Sequence, residues 1–567
     1  MNRYKHIRRL AAALILTAGL RALGQPFMQP AMPTAPPPAM QPPQPTVVST
    51  NLTVEEAEAQ EMAARADTNG EVGLSEAAKA LERLALQAAQ RVAAQAAAQA
   101  GQQPPVQPAE PVPVTVVAPA PAPPVTVRAP EPPPSNLFNV FSYGAKGNGI
   151  TLDTAAIQRA IDAAAARGGH AVVEVPAGYS FMVGTLRLAG GIVFNLDGEL
   201  LISTNPADYS GAGVICASNA PDLQITGPGV LNGRALEFMT NYDTVGEWWR
   251  PGPWRPEMFQ LTGCTNLLVR DLAFKDAPYG GLHLLGCYGV LVTNVTVLGR
   301  LSVPNCDGIV ADHCQQVEIC NCDVEAGDDA VAVKSTPQGR EYGPCAFIQV
   351  HDCTLQTQGA GVNLGPETVG DIHDVVFENC RISSAGRGLA IQLRDEGSVS
   401  NVVFRELHFF ARYFADPWWG RGEGISLTAI PRTAGTKLGT MQNILITNVT
   451  GQAENSLRIN GTPGSIIRNV RLENVALTLA RISKYPGARY DNRPTFVSDP
   501  IETHLTSGFF LRYADDVVLR NCSVRWGRNP PVYFTSALET DHVTGLQLYG
   551  FKGASAHPDT YEDMAIH

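Results

Sequence analysis

Past its first two dozen residues, this chain of 567 residues has no run of ~18 consecutive apolar residues. That is the length a helix needs to cross a bilayer, so no membrane anchor is expected. A basic excess is missing too: 42 Lys and Arg against 53 Asp and Glu leave a net charge of −11. This argues against nucleic acid and anionic membrane surfaces as partners. An acidic polysaccharide stays open, because a local basic cleft works against the global field. Cysteine is absent before Cys216, and all eleven cysteines lie between Cys216 and Cys522. None therefore stands at an amino-terminal processing point, which argues against a lipoprotein. Cys320-Asn321-Cys322 is too tight for a zinc pair, and no second Cys/His pair has ligand spacing. No metal and no other cofactor is expected.

Arg3, Lys5, Arg8 and Arg9 precede an apolar stretch from Leu10 to Leu20, and Ala22-Leu23-Gly24 offers small residues for cleavage before Gln25. This is the pattern of a secretory signal. Residues 1–24 thus read as a signal peptide, and the protein as secreted or periplasmic. Residues 25–135 read as a spacer. Two tracts rich in Pro, Ala and Gln, 25–45 and 102–134, should be extended. Between them, about 54–100, Ala, Glu, Gln and Leu predict helix. The break at Asp67–Glu76 has the oxygen donors of a calcium loop. However, Val72 replaces the turn glycine and Ala78 the bidentate Glu, so a polar turn between two helices is expected.

The remaining residues, 136–567, carry a repeat. Short β-branched strands ending in Asn, Asp or Glu recur: Leu267–Asp271, Val290–Asn294, Val317–Asn321, Phe347–Asp352, Val375–Asn379, Val402–Glu406, Ile444–Asn448 and Val517–Asn521. The first six anchors step by 23, 27, 31, 27 and 27 residues. Propeller blades need about 40 residues, so the shorter step predicts an all-β fold, a right-handed parallel β-helix, with inserted loops where later gaps lengthen. Cys322, Cys353, Cys380 and Cys522 fall at equivalent positions and read as interior ladders. One or two disulfides stay open, and the odd count leaves at least one thiol unpaired. At the amino-terminal end, Ile157, Ile161 and Ala164 follow helical spacing behind Asp153-Thr154, a capping pair, and Ala171–Val175 follows as a strand. A helix there would cap the open end of the solenoid.

Two carboxylate clusters stand out within the repeat. Asp307 lies in Pro304-Asn305-Cys306-Asp307-Gly308, and Asp328 and Asp329 lie in Gly327-Asp328-Asp329. Asp307 and Asp328 are 21 residues apart, about one coil, so coiling would bring the three acids side by side. Close carboxylates do not all ionise freely: one retains its proton and serves as an acid while another stays a base. That is the equipment of a glycosidase.

The chain from Asn136 onward resembles the polygalacturonase group, glycoside hydrolase family 28, within the pectate-lyase-type β-helices. The resemblance rests on Gly227–Gly233, Trp248-Trp249, the Asn305/Asp307 cluster and Gly327-Asp328-Asp329. It implies an inverting hydrolase of a pectin-like polysaccharide, with Asp328 as general acid and Asp307 and Asp329 activating water across a gap of ~6.5–9.5 Å. Asn305 would orient an acid or a sugar hydroxyl, and Lys334 closes the second cluster. Two departures matter. The family's His between two glycines is replaced in Gly359-Ala360-Gly361, and its Arg-Ile-Lys carboxylate clamp by Ala390-Ile391-Gln392. Arg387, Gln392 and Arg394 flank that position, Arg394 being the candidate substitute. The losses point away from plain homogalacturonan towards another uronate-containing or neutral glycoside, of rhamnogalacturonan type for example. Trp418 and Trp419, in a loop with Tyr413 and Arg421, are candidate sugar-stacking residues or a loop packing on itself. His283, His313, His351 and His373 read as structural, with His373 the one that could approach the acids. A lyase and a non-catalytic carbohydrate-binding protein are the alternatives.

Overall fold

The computed structural model describes residues 136–211 and 213–567; the signal peptide, the spacer with its helical stretch, and the 67–78 turn lie outside them. Among the described residues, thirty-seven strands share one hydrogen-bonded network whose lateral pairings are parallel. Each strand along the central run pairs with the third one further on. Tyr279–Leu285 pairs with Ile309–Asp312, Tyr288–Thr293 with Gln315–Cys320, and Thr296–Leu298 with Asp323–Ala326. A coil therefore has three strands, and the molecule is a parallel β-helix with three sheet faces. The register steps follow the anchors: Leu267 pairs with Val290, Val317 with Ile348 and Val375 with Val402. The rungs Ile192–Leu196, Gln224–Thr226 and Ile467–Leu479 lie outside the pattern read from the sequence.

The anchors turn the chain from one face to the next. Asp271, Asn294, Asn321, Asp352, Asn379, Glu406, Asn448 and Asn521 all have φ between 48° and 65°, a left-handed conformation that Asn and Asp tolerate best after glycine. Stacked anchors bond to one another, as in Asn294 Nδ2 to Asp271 Oδ1 at 2.8 Å and Asn474 Nδ2 to Asn448 Oδ1 at 2.9 Å. Asn294→Ala should cost about 1–2 kcal/mol, and Asn294→Gly only the hydrogen-bond share. Thermal melting of the two variants checks this.

Inward positions fill a single continuous core. Val290, Val317, Ile348, Val375 and Val402 form one buried row, and Phe377 stacks on Phe404 with centroids 5.4 Å apart. The cysteines join it. The thiols of Cys287 and Cys314 point at carbonyls of the preceding rung, and Cys322, Cys353 and Cys380 stack on the next corner. All eleven cysteines are free thiols, so no bridge forms. The helix Thr154–Arg167 buries Ile157, Ile161 and Ala164 against the first strands. Its start differs from expectation. Asp153 makes no side-chain cap; its carboxylate instead accepts the Lys146 and Gly147 N–H groups at 2.7 and 3.0 Å, holding the preceding turn.

Candidate active site

The strands Ile309–Asp312 and Val331–Ser335 pair with Ile309 beside Val331 and Asp312 beside Lys334. The ladder extends backwards: Gly308 N–H donates to Asp329 O at 2.9 Å and Asp328 N–H to Cys306 O at 3.3 Å. Asp307 and Asp329 therefore sit at one level on neighbouring rungs, with Asp328 beside them. Carboxylate oxygens of all three lie within 4.8 Å of one another. One oxygen from each acid makes this meeting; the ~6.5–9.5 Å expected above is a separation between carboxyl groups, not between nearest oxygens.

The cluster is held from several sides. Lys334 Nζ donates to Asp307 Oδ2 at 2.8 Å and lies 3.6 Å from Glu367. Asp329 accepts the Ala360 N–H at 2.8 Å and the Asn363 side-chain amide at 2.6 Å. Asp328 Oδ1 accepts the Asp329 N–H at 3.0 Å. Gly359 is required by close approach: a Cβ there would lie 2.8 Å from Asp328 Oδ1. Ala360 brings no side-chain proton carrier, and its backbone N–H does the holding. Burial, with the Asp307 charge next, pushes the Asp329 carboxyl up to about 6, against the pull of Lys334, Asn363 and the Ala360 N–H. Burial would lower Lys334, but Asp307, Glu367 and Asp329 outweigh it and hold the ammonium well above its ordinary value.

The other candidates scatter. Asn305 Oδ1 accepts Arg255 Nη2 at 3.0 Å. Arg255, not anticipated from the sequence, also bonds Pro304 O and Pro278 O and lies over the Tyr279 ring, tying two rungs together. Gln392 reaches the site through Asn363, whose amide lies 3.3 Å from its Oε1; its own Nε2 donates to Arg493 O. Arg387 is buried and paired with Asp491 at 3.5 Å. Arg394 is fully buried; its Nη1 and Nη2 donate to Leu393 O, Thr428 and Asn492 O, while its Nε is buried without a partner among the described residues. Burial, with Arg387, Arg432 and Arg458 nearby, holds it well below its usual value. Trp418 is buried against Trp248, and Trp419 lies under the Arg493 guanidinium. The loop packs on itself because Arg421 stacks over Tyr413 and donates to Trp418 O and Gly420 O. Over these residues lies an insertion, Arg489–Asp491 paired with Ile501–Thr503, that no periodicity announces.

Among the histidines, His373 lies on the second face, paired with Asp374 at 2.7 Å, and does not approach the acids. His283 does lie on the face of the acids. It stands 3.3 Å from Asp312 and 3.7 Å from Glu257. Burial would lower it, but those two carboxylates push it up to about 9.

Fold and carboxylate cluster together are those of the β-helical glycoside hydrolases. The sequence profile of Glycosyl hydrolases family 28 matches residues 167–487, and the chain belongs to that family. It is 26% identical over 276 residues to a probable polygalacturonase of Arabidopsis thaliana, covering 47% of this chain and 56% of that one. The chain thus spans little more than half the length of that relative. Among solved structures, the family 28 exopolygalacturonase of Yersinia enterocolitica aligns with TM-score 0.53 at 18% identity, over 73% of this chain and 78% of its own. An exopolygalacturonase of Thermotoga maritima aligns with TM-score 0.50 at 21% identity, over 62% and 89%. These likenesses establish the fold.

Proposed function

We propose that the protein is an exported hydrolase of a pectin-like or related uronate-containing polysaccharide. The observation that carries this is the meeting of Asp307, Asp328 and Asp329 within 4.8 Å, braced by Lys334. Three carboxylates so close do not all ionise freely. Asp328, half-buried at the edge of the cluster, is the acid that protonates the glycosidic oxygen. Asp307 and Asp329 hold a water. Asp307 is tied to Lys334, and both Asp329 oxygens are engaged by Ala360 and Asn363. With both bases holding a water, water is the nucleophile and the product anomer is inverted, as the family resemblance implies. Incubation with a panel of pectic and other uronate polysaccharides should release new reducing ends. Proton NMR should show the inverted anomer first. Unsaturated products would support a lyase, and binding without cleavage a non-catalytic protein; either result overturns the proposal.

The Asp329 carboxyl sets the low side of the pH behaviour. As a base it must be ionised, and it loses its proton as pH rises through about 6. The rate at low substrate should therefore rise about tenfold per pH unit below that point and level off above it. Asn363→Ala removes a donor that favours ionised Asp329, so the rising limb should shift to higher pH. A pH–rate profile of both proteins checks this.

A further inference from the structure

We infer that a thiophilic divalent cation such as Zn²⁺ binds on the second face of the coil, between Glu318, Cys320 and His351. This is separate from the acid cluster. Glu318 and Cys320 lie two residues apart on the strand Gln315–Cys320, hence on one side of it. Cys320 pairs in register with His351 of the next rung. One carboxylate oxygen, the thiol sulfur and one imidazole nitrogen all lie within 4.8 Å of one another. A tetrahedral ion with bonds of ~2.0–2.3 Å needs ligand atoms about 3.5 Å apart. The side chains of Glu318 and His351 keep 21% and 28% of their surface exposed, so small rotations close the set and leave a fourth position for water.

Two further features suit a metal site. His351 Nδ1 is 2.7 Å from Asp352 Oδ2, and Nε2 faces Glu318 Oε1 at 3.2 Å. With the Nδ1 proton given to Asp352, an imidazole nitrogen facing a carboxylate needs a cation between them: a proton or a metal. A carboxylate behind a ligating histidine is the arrangement that orients such rings. The second feature is the thiol. Cys287, Cys314, Cys322, Cys353 and Cys380 aim at backbone carbonyls in the core. Cys320 is on the outward side, with its sulfur 3.3 Å from the Thr293 hydroxyl of the preceding rung. As a thiolate it would accept that hydroxyl's hydrogen bond. Binding releases the thiol proton, and any Nε2 proton, to solvent. The bound ion would clasp two rungs.

The test uses the full protein, stripped with chelator and titrated at neutral pH with Co²⁺ and with Zn²⁺. The expected result is a sulfur-to-cobalt charge-transfer band saturating at one equivalent, displaced by Zn²⁺, with Zn²⁺ raising the melting temperature by several degrees. Cys320→Ser and His351→Ala, checked to melt like the parent in chelator, should each lose the band. Cation binding at the acid cluster involves no sulfur and gives no such band. Absence of the band at tenfold excess metal, or its survival in Cys320→Ser, overturns the site.

Discussion

Asp328→Asn should lower the rate of glycan hydrolysis by about 10³-fold, the scale on which a positioned proton donor acts. The fold should be spared. The carboxamide oxygen still accepts the Asp329 N–H, and removing one of three crowded carboxylates relieves repulsion with Asp307 and Asp329. Melting should therefore occur at or slightly above the parent temperature. Asp307→Asn and Asp329→Asn should fall by similar factors, with double variants little worse than single ones, because the three groups act as a unit. Steady-state kinetics on the best substrate of the panel decide it, and activity within tenfold of the parent in Asp328→Asn would sink the assignment.

The second large effect is on stability. Asp491 is buried and shared by three guanidinium groups: Arg493 at 2.7 Å, Arg421 at 3.4 Å and Arg387 at 3.5 Å. It also accepts the Gly420 N–H at 2.8 Å. Burial alone would raise its carboxyl, but the three arginines hold it far below the usual carboxylate range. Asp491→Ala leaves several buried cations without their counter-charge, a loss of about 3–5 kcal/mol. Because the folded value is depressed, the parent's advantage is complete above the ordinary Asp value of about 3.9 and shrinks as pH falls below it. Urea unfolding at neutral and acid pH should show the gap between the two proteins narrowing in acid. A loss under 1 kcal/mol at pH 7 would mean water already screens the cluster. The insertion also carries Arg493, whose carbonyl holds Gln392, and Gln392 meets Asn363 on Asp329. A loosened insertion should thus weaken activity as well.

How far the site was legible follows from what a repeat encodes. Asp307, Asp328 and Asp329 could be grouped from sequence because a coil of near-constant length brings residues one period apart to the same place. Asn363 belongs to the same logic, two rungs from Val310 through Ala332, yet a lone Asn in an apolar strand gives no signal. Arg255 is reached through Pro278 and Pro304 across two rungs, from a loop with no periodicity. The arginines misled for a related reason. Arg387 and Arg394 do stand on the right face, as spacing says, but spacing does not report what is laid over them. The Tyr413–Glu423 loop and the 489–503 insertion bury that part of the face. The same holds for Trp418, whose ring is spent on Trp248.

Sequence by itself determined the parallel coil, the anchor turns, the interior cysteine ladder, the helix against the first strands and the pairing of the two acid clusters. Each follows from a local rule, a β-branched strand or a left-handed Asn, repeated at a near-fixed step, so local chemistry and long-range position coincide. Only the tertiary structure decided how tightly the acids approach, which of them is buried, which arginines are walled in and which thiol meets a histidine. Those depend on insertions folding back over the coil and on side chains meeting across rungs. A one-dimensional pattern carries the period of a solenoid but not what is packed against its surface.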